Sequence, residues 1–286
     1  MVVLSNEVSM AVYILIAIFY TTIKPIYGIL SAILLIFYDR VSKTHMSEGF
    51  SQNNEKSYPR IIYQTWHSKI LPPKMADCVD KLKRDNPAFE HHLYDNAMCR
   101  AFIKDNYDKK VLDAYDELLP GAFKADLWRY CILYKTGGIY LDIKFQCEPG
   151  FSLNGLTGGY VREYNHLGSG LYNHIIYTGC ICSQPNNPVF MKCIDKIVDN
   201  CNTKYYGPEH TSPTGPYLFA SMMESGDIEN SKYAYYEENG IGYIRNIEDK
   251  RIILSHYPEY RKEQKSYGKG KYWKDAWLNR EVYSTG

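Results

Sequence analysis

The stretch ADLWRYCILYKTGGIYLDIKF, Ala125 to Phe145, decides the fold. Its first part carries apolar residues at amphipathic helical spacing and stops at Gly137-Gly138, where glycine caps the helix and turns the chain. A short apolar strand, Ile139-Tyr140-Leu141, follows and delivers Asp142. A helix passing through glycine into a strand is a unit of an α/β domain, in which ligands bind beyond the carboxyl ends of the strands. Asp126 and Arg129 stand three apart on the helix and so project from one face. Two residues past Asp142, where a second carboxylate would complete a metal-binding Asp-x-Asp, stands Lys144.

Outward from this unit the pattern alternates. Arg60–Trp66 reads as a buried opening strand, and Pro72-Pro73 starts a helix through KMADCVDKLKRDNP. FEHHLYD is a second strand, Asp95 is placed to cap the helix NAMCRAFIKDNY, and DKKVLDAYDELLP repeats the helical pattern. IYLDIKF is expected to be a strand throughout. Asn154–Gly170 reads as a polar loop, HIIYTGCICSQ as a strand, and helices follow Pro188 and the turn at TSPTGP. Ser231–Gly286 reads as a few strands plus a tail. The expected fold class is α/β, with a mixed central sheet flanked by helices.

At the amino end, residues 10–38 form an apolar block broken only by Lys24-Pro25. Phe19–Tyr38 is long enough to span a bilayer, which takes about 20 residues, with Lys24 near one end where it can snorkel. Residues 1–40 are therefore expected to be a membrane anchor, single-pass or hairpin, with sidedness open because Lys24 opposes Arg40 and Lys43. The apolar stretch is too long, and its flank too poor in basic residues, for a cleaved signal peptide. Residues 41–58 are polar and aperiodic, a tether to a domain spanning 59–286.

Composition excludes little but is informative. A formal net charge of +1 over 286 residues argues against a nucleic-acid surface. The 28 tyrosines fit a compositional bias shared with Ile, Lys and Asn, and would equally suit a carbohydrate or nucleotide surface. The eight cysteines lack zinc-site spacing and fit either disulfides or reduced core thiols; Cys180 and Cys182 share one strand face. No Asn-x-Ser/Thr acceptor occurs, which disfavours a eukaryotic secretory lumen.

A nucleotide-sugar needs acceptors for its hydroxyls and positive charge for its diphosphate. Asp126 and Asp142 supply the first, Arg129 part of the second. Taken singly, each residue is equally explained by a helical ion pair and a solvated strand-end carboxylate. Together, Ala-Asp-x-x-Arg-Tyr followed by Gly-Gly-Ile-Tyr-x-Asp resembles the DXD sugar-binding region of the glycosyltransferase family 32 group. YPRIIYQTW, NPAFEHHLYDNAMCRAFI, NHIIYTGCICSQPNNPVFMKCI and TSPTGPYLF resemble further segments of that family, so the resemblance extends over most of residues 59–286.

The resemblance implies a GT-A-type nucleotide-sugar-binding domain that moves a hexose from a UDP- or GDP-sugar to a hydroxyl of a glycan, lipid or protein, with retention of configuration. It implies a Golgi-type membrane in a eukaryotic host. It implies that Trp66 stacks on the base and that Asp126 and Arg129 hold sugar hydroxyls and diphosphate. Tyr140 would then pack by the ribose and Asp142 touch sugar hydroxyls and a divalent cation, Mn²⁺ or Mg²⁺. Asp142, Lys144 and Arg129 are the catalytic candidates. His256 is a second candidate metal ligand, with Trp273, Trp277 and the lysines 265, 269, 271 and 274 nearby in sequence.

Lys144 departs from the motif and puts the metal in doubt. It either neutralises the diphosphate itself, or turns away while Asp142 and tail residues hold a metal, or marks a membrane-tethered protein that binds a nucleotide-sugar or glycan without turnover.

Overall fold

The computed structural model describes residues 58–163, 175–224, 231–238, 241–268 and 270–285. The expected anchor and nearly all of the tether lie outside them. Among the described residues no helix is long and apolar enough to cross a membrane.

Strand β1 (Ile61–Thr65) leads through Pro72 into helix α1 (Pro73–Asp85), and β2 (Glu90–Tyr94) returns parallel to β1. Asp95 caps α2 (Asn96–Asn106) as its position predicts, accepting a hydrogen bond from the Met98 amide at 2.9 Å. Helix α3 (Lys109–Glu117) precedes α4 (Gly121–Thr136), which ends where Gly137 takes a positive φ of 64°. The spacing in α4 predicts an amphipathic helix, but every residue from Asp126 to Leu133 is buried. Of its four charged residues Lys124 and Lys135 lie outside this buried stretch, while Asp126 and Arg129 are buried within it and face each other.

Strand β3 (Gly138–Leu141) pairs parallel with β1 and antiparallel with β6 (Ile176–Ser183). It ends at Leu141 rather than running through Phe145. Asp142 still donates to Gly179 of β6, and then Phe145 N bonds back to Asp142 O in a turn. The reason lies in the sheet order, β2-β1-β3-β6-β5-β7-β8-β9-β4, in which β4 (Gln146–Cys147) sits at the far edge. In a flat sheet β3 and β4 would be six strand spacings apart, roughly 29 Å. The chain from Leu141 to Gln146 reaches at most about 18 Å. The sheet therefore curls, and residues 142–145 bridge its two parts. One apolar cluster joins Ile139 and Leu141 of β3 to Ile244, Ile252 and Ile253 of the distal strands.

The expected loop at 154–170 contains a strand, β5 (Gly159–Glu163), which gains partners on both sides: β6, and in parallel β7 (Tyr233–Glu238). Those pairings come from distant chain, which a local reading of Gly-rich sequence does not contain. Helices α5 (Pro188–Thr203) and α6 (Pro216–Ser221) pack with α2–α4 in a second core on the opposite face of β3, around Trp128, Tyr130 and Tyr140. Strands β8 (Ile241–Asn246) and β9 (Arg251–Leu254) complete the meander.

The expected tail instead holds α7 (Tyr260–Tyr267) and α8 (Trp273–Leu278). Buried Glu263 of α7 anchors the former, accepting the Lys74 and Met75 amides, each at 2.9 Å. A carboxylate at the amino end of α1 satisfies donors that Pro72 leaves uncapped. All eight cysteines are free thiols buried in the cores.

Candidate functional site

A cleft of about 830 Å³ opens at the carboxyl end of β3. Trp66, Asp126, Arg129, Tyr140, Asp142 and Lys144 all line it, and so does His256. The site candidates named from the sequence thus converge on one cavity.

Its centre is a chain of charges. Arg129 Nη2 lies 3.2 Å from Asp126 Oδ1 and 3.7 Å from Asp142 Oδ1. Arg129 Nη1 donates to Thr178 O at 2.6 Å, and the guanidinium lies 4.3 Å over the Tyr140 ring. Tyr140 donates to Asp142 Oδ1 at 3.0 Å, and Lys144 Nζ reaches Asp142 Oδ2 at 3.0 Å. Burial alone would push the Asp142 carboxyl up. Lys144 and Arg129 overcome that and hold it below its ordinary range. Burial pushes the Asp126 carboxyl upward against Arg129 and the Thr214 hydroxyl, which donates to it at 2.7 Å.

Two glycines make room for these carboxylates. A Cβ on Gly179 would lie 2.9 Å from Asp142 Oδ2, and one on Gly215 would lie 3.2 Å from Asp126 Oδ2. Both follow a threonine that contacts the charge chain, Thr178 through its carbonyl and Thr214 through its hydroxyl.

The remaining candidates distribute unevenly. Trp66 follows β1, and its indole N–H is buried with no hydrogen-bond partner among the described residues. Ser255 Oγ lies 3.0 Å from His256 Nδ1, and burial, then Arg261 and Lys144, lowers the affinity of the imidazole for a proton. Trp273, Lys265 and Lys271 line the cleft. Trp277 does not; its indole donates to Tyr206 O. Lys274 is not among the lining residues, and position 269 lies outside the described residues.

Residues 72–155 match the family described as "Glycosyltransferase sugar-binding region containing DXD motif". These residues belong to that sugar-binding family. The segment holds Asp126, Arg129, Tyr140, Asp142 and Lys144, while Trp66, Thr178, Thr214 and His256 lie outside it. The chain is 32% identical over 169 residues to an uncharacterized glycosyltransferase, L373, of Acanthamoeba polyphaga mimivirus. That alignment covers 58% of this chain and 64% of the relative. It is 34% identical over 113 residues to inositol phosphoceramide mannosyltransferase 3 of Schizosaccharomyces pombe, covering 38% and 30% respectively. The chain thus spans less than two thirds of either curated relative. Among solved structures it is similar to a PaToxG glycosyltransferase, at 15% identity and a TM-score of 0.44 over 79% of this chain and 85% of that one.

The sugar-binding family's motif implies a divalent cation, and the residues here do not fit one. Such an ion takes six or more oxygen ligands. The position of the motif's last carboxylate carries the Lys144 ammonium, and it occupies Asp142 Oδ2. Among the described residues no group of three or more His, Cys, Asp or Glu is placed to hold a metal ion. A divalent ion about 4 Å from the ammonium would be repelled by about 2–8 kcal/mol, for effective dielectrics from water to a protein surface.

Two carboxylates not anticipated from the sequence, Glu163 of β5 and Glu237 of β7, also line the cleft. Burial, opposed by Lys144 and reinforced by Glu237, pushes the Glu163 carboxyl up to about 7. A folded value above the unfolded one, about 4.3, means that the folded state holds a proton the unfolded state has lost. Stability therefore falls as pH rises between these values. Glu163→Gln is expected to flatten that fall and to raise Tm at pH 7.5, by about 2–4 °C for each kcal/mol recovered. Thermal melts of both proteins from pH 4.5 to 8 check it; parallel curves would refute the burial argument.

Proposed function

We propose that this chain is a glycosyltransferase that moves a hexose from a nucleoside-diphosphate sugar to a hydroxyl of a glycan, lipid or protein, with retention of configuration, on a GT-A-type domain. The observation that carries this reading is the convergence of Asp126, Arg129, Tyr140, Asp142, Lys144 and Trp66 on one cleft. Hydroxyl acceptors, a planar cation and an aromatic surface are the three kinds of group that a sugar, a diphosphate and a base require. Trp66 is the surface for the base. Asp142 and Asp126 accept hydrogen bonds from sugar hydroxyls, and Arg129 is held between them. The names of relatives that are mannosyltransferases favour mannose as the hexose, and the inositol phosphoceramide in one of those names favours a lipid acceptor. Residues 1–40 would tether the catalytic domain beside such a lipid.

In the reaction the bond between the donor's anomeric carbon and the diphosphate oxygen breaks, and its electron pair leaves with that oxygen. The acceptor hydroxyl oxygen bonds to the same face of the carbon, and its proton passes to the departing phosphate oxygen. This route asks the protein for charge stabilisation and positioning rather than for a nucleophile.

The test uses the full chain in detergent with a panel of UDP- and GDP-sugars, reading donor hydrolysis and nucleotide affinity together. Turnover of one donor, with GDP-mannose tried first, is the expected result. Saturable binding without turnover of any donor on any acceptor would replace this reading with that of a binding protein, and no binding at all would end both.

A further inference from the structure

We propose that Lys144 is a built-in cation, meeting the donor's diphosphate in place of a divalent metal, so that this chain binds and uses its donor without Mn²⁺ or Mg²⁺. The inference rests on the donor site proposed above and concerns how that site neutralises charge.

Three observations carry it. First, Lys144 is fixed in place. Its Nζ lies 3.0 Å from Asp142 Oδ2, and its side chain is only 15% exposed. The ammonium also stands 5.6 Å from the ring of Phe145, 5.7 Å from Tyr260 and 5.9 Å from Tyr177. Tyr177 is itself held by stacking on Tyr235, with centroids 4.4 Å apart and planes 7° from parallel. Turning away toward solvent would break the ion pair and leave this ring of aromatic faces, so the ammonium stays. Second, it lines the cleft beside Asp142 and Arg129, where a departing diphosphate gathers negative charge. Third, further positive charge comes from the same protein. Arg261 and Lys265 on α7 line the same cleft; Lys271 lines it too, but its ammonium is ion-paired with Glu281. One fixed ammonium with this basic rim supplies what a doubly charged ion would otherwise provide.

The surroundings add a test in reverse. Glu163, Glu237 and His256 line the cleft with Lys144. Replacing the lysine by aspartate restores two carboxylates at the motif and leaves further oxygen and nitrogen ligands nearby. Lys144→Asp should therefore gain a metal site that the wild type lacks.

The experiment is calorimetric titration of UDP and GDP into the full chain in detergent, with Mn²⁺ and with chelator, alongside Mn²⁺ binding followed by electron paramagnetic resonance. Wild-type nucleotide affinity is expected to agree within about twofold between the two conditions, while Lys144→Ala and the gentler Lys144→Gln each lose about tenfold or more in both. Lys144→Asp is expected to bind Mn²⁺ and to require it for nucleotide binding. Wild-type affinity that collapses in chelator overturns the proposal, as does wild-type affinity in Lys144→Ala or Lys144→Gln. The wild-type comparison needs no variant to fold. Nucleotide binding in neither condition overturns the donor site itself, a failure distinct from metal-dependent binding.

Discussion

Asp142→Asn is expected to lower kcat/KM for sugar transfer by about a hundredfold, the scale on which misplacing groups that must be positioned, here the two cations the carboxylate holds, acts on a rate. Asparagine keeps the volume and the hydrogen bond from Tyr140, so the lost quantity is the charge. That charge holds Lys144 at 3.0 Å, faces Arg129 at 3.7 Å and lies at the end of the strand where the donor binds. Without it both cations reorient, and the donor's hydroxyls lose an ionic acceptor. The loss should fall mainly on kcat, because ordering of the diphosphate matters most as charge leaves. Asp142→Asn should also change acid stability. The wild-type carboxyl is held below its ordinary range, so the stability it adds is present above the unfolded value of about 3.9. That stability is lost as pH falls through the lower folded value, and the amide has none to lose. Kinetics within tenfold of wild type would remove Asp142 from the machinery.

Arg129→Met is expected to destabilise the fold by about 3–5 kcal/mol, near 10 °C in Tm. The guanidinium is 7% exposed and its partner Asp126 is 10% exposed. Removing it strands a buried carboxylate and leaves Thr178 O without its 2.6 Å donor. Burial also strips solvent from the guanidinium, but Tyr140, Asp126 and Asp142 keep it firmly protonated. Arg129→Met combined with Asp126→Asn should recover much of the loss, because it removes the uncompensated charge rather than the shape. Denaturant titration of the three proteins checks this. A single variant within 1 kcal/mol of wild type would mean that the pair contributes function only.

The legible part of the described chain was residues 60–142. There Pro72-Pro73, Asp95 and Gly137 each mark a helix end, and β1 and β3 carry apolar residues behind short polar or glycine leads. Asp126 and Arg129 could be placed on one face by counting, and Asp142 at a strand end by the glycines before it. What could not be read was set by distant chain. Strand β5 exists because β6 and β7 flank it. Helix α7 is anchored by Glu263 to amides nearly two hundred residues away. The carboxylates Glu163 and Glu237 enter the cleft only because parallel pairing of β5 with β7 brings their strands together. Trp273 and Trp277 look equivalent in sequence, and only the packing of α8 sends one into the cleft and ties the other to Tyr206.

The bridge of residues 142–145 has a consequence for how such a site can change. It joins β3 to β4 across a curled sheet, with Cys78 of α1 near both the Ile143 and Phe145 carbonyls, at 3.8 and 3.3 Å. Its length is dictated by closure, while the side chain at position 144 is dictated only by what enters the cleft. Exchange of one residue there rewrites the electrostatics without moving the backbone; insertion of one would break the seam between β4 and β9. The turn is a socket of fixed dimensions into which a carboxylate or an ammonium can be fitted, and here the ammonium was.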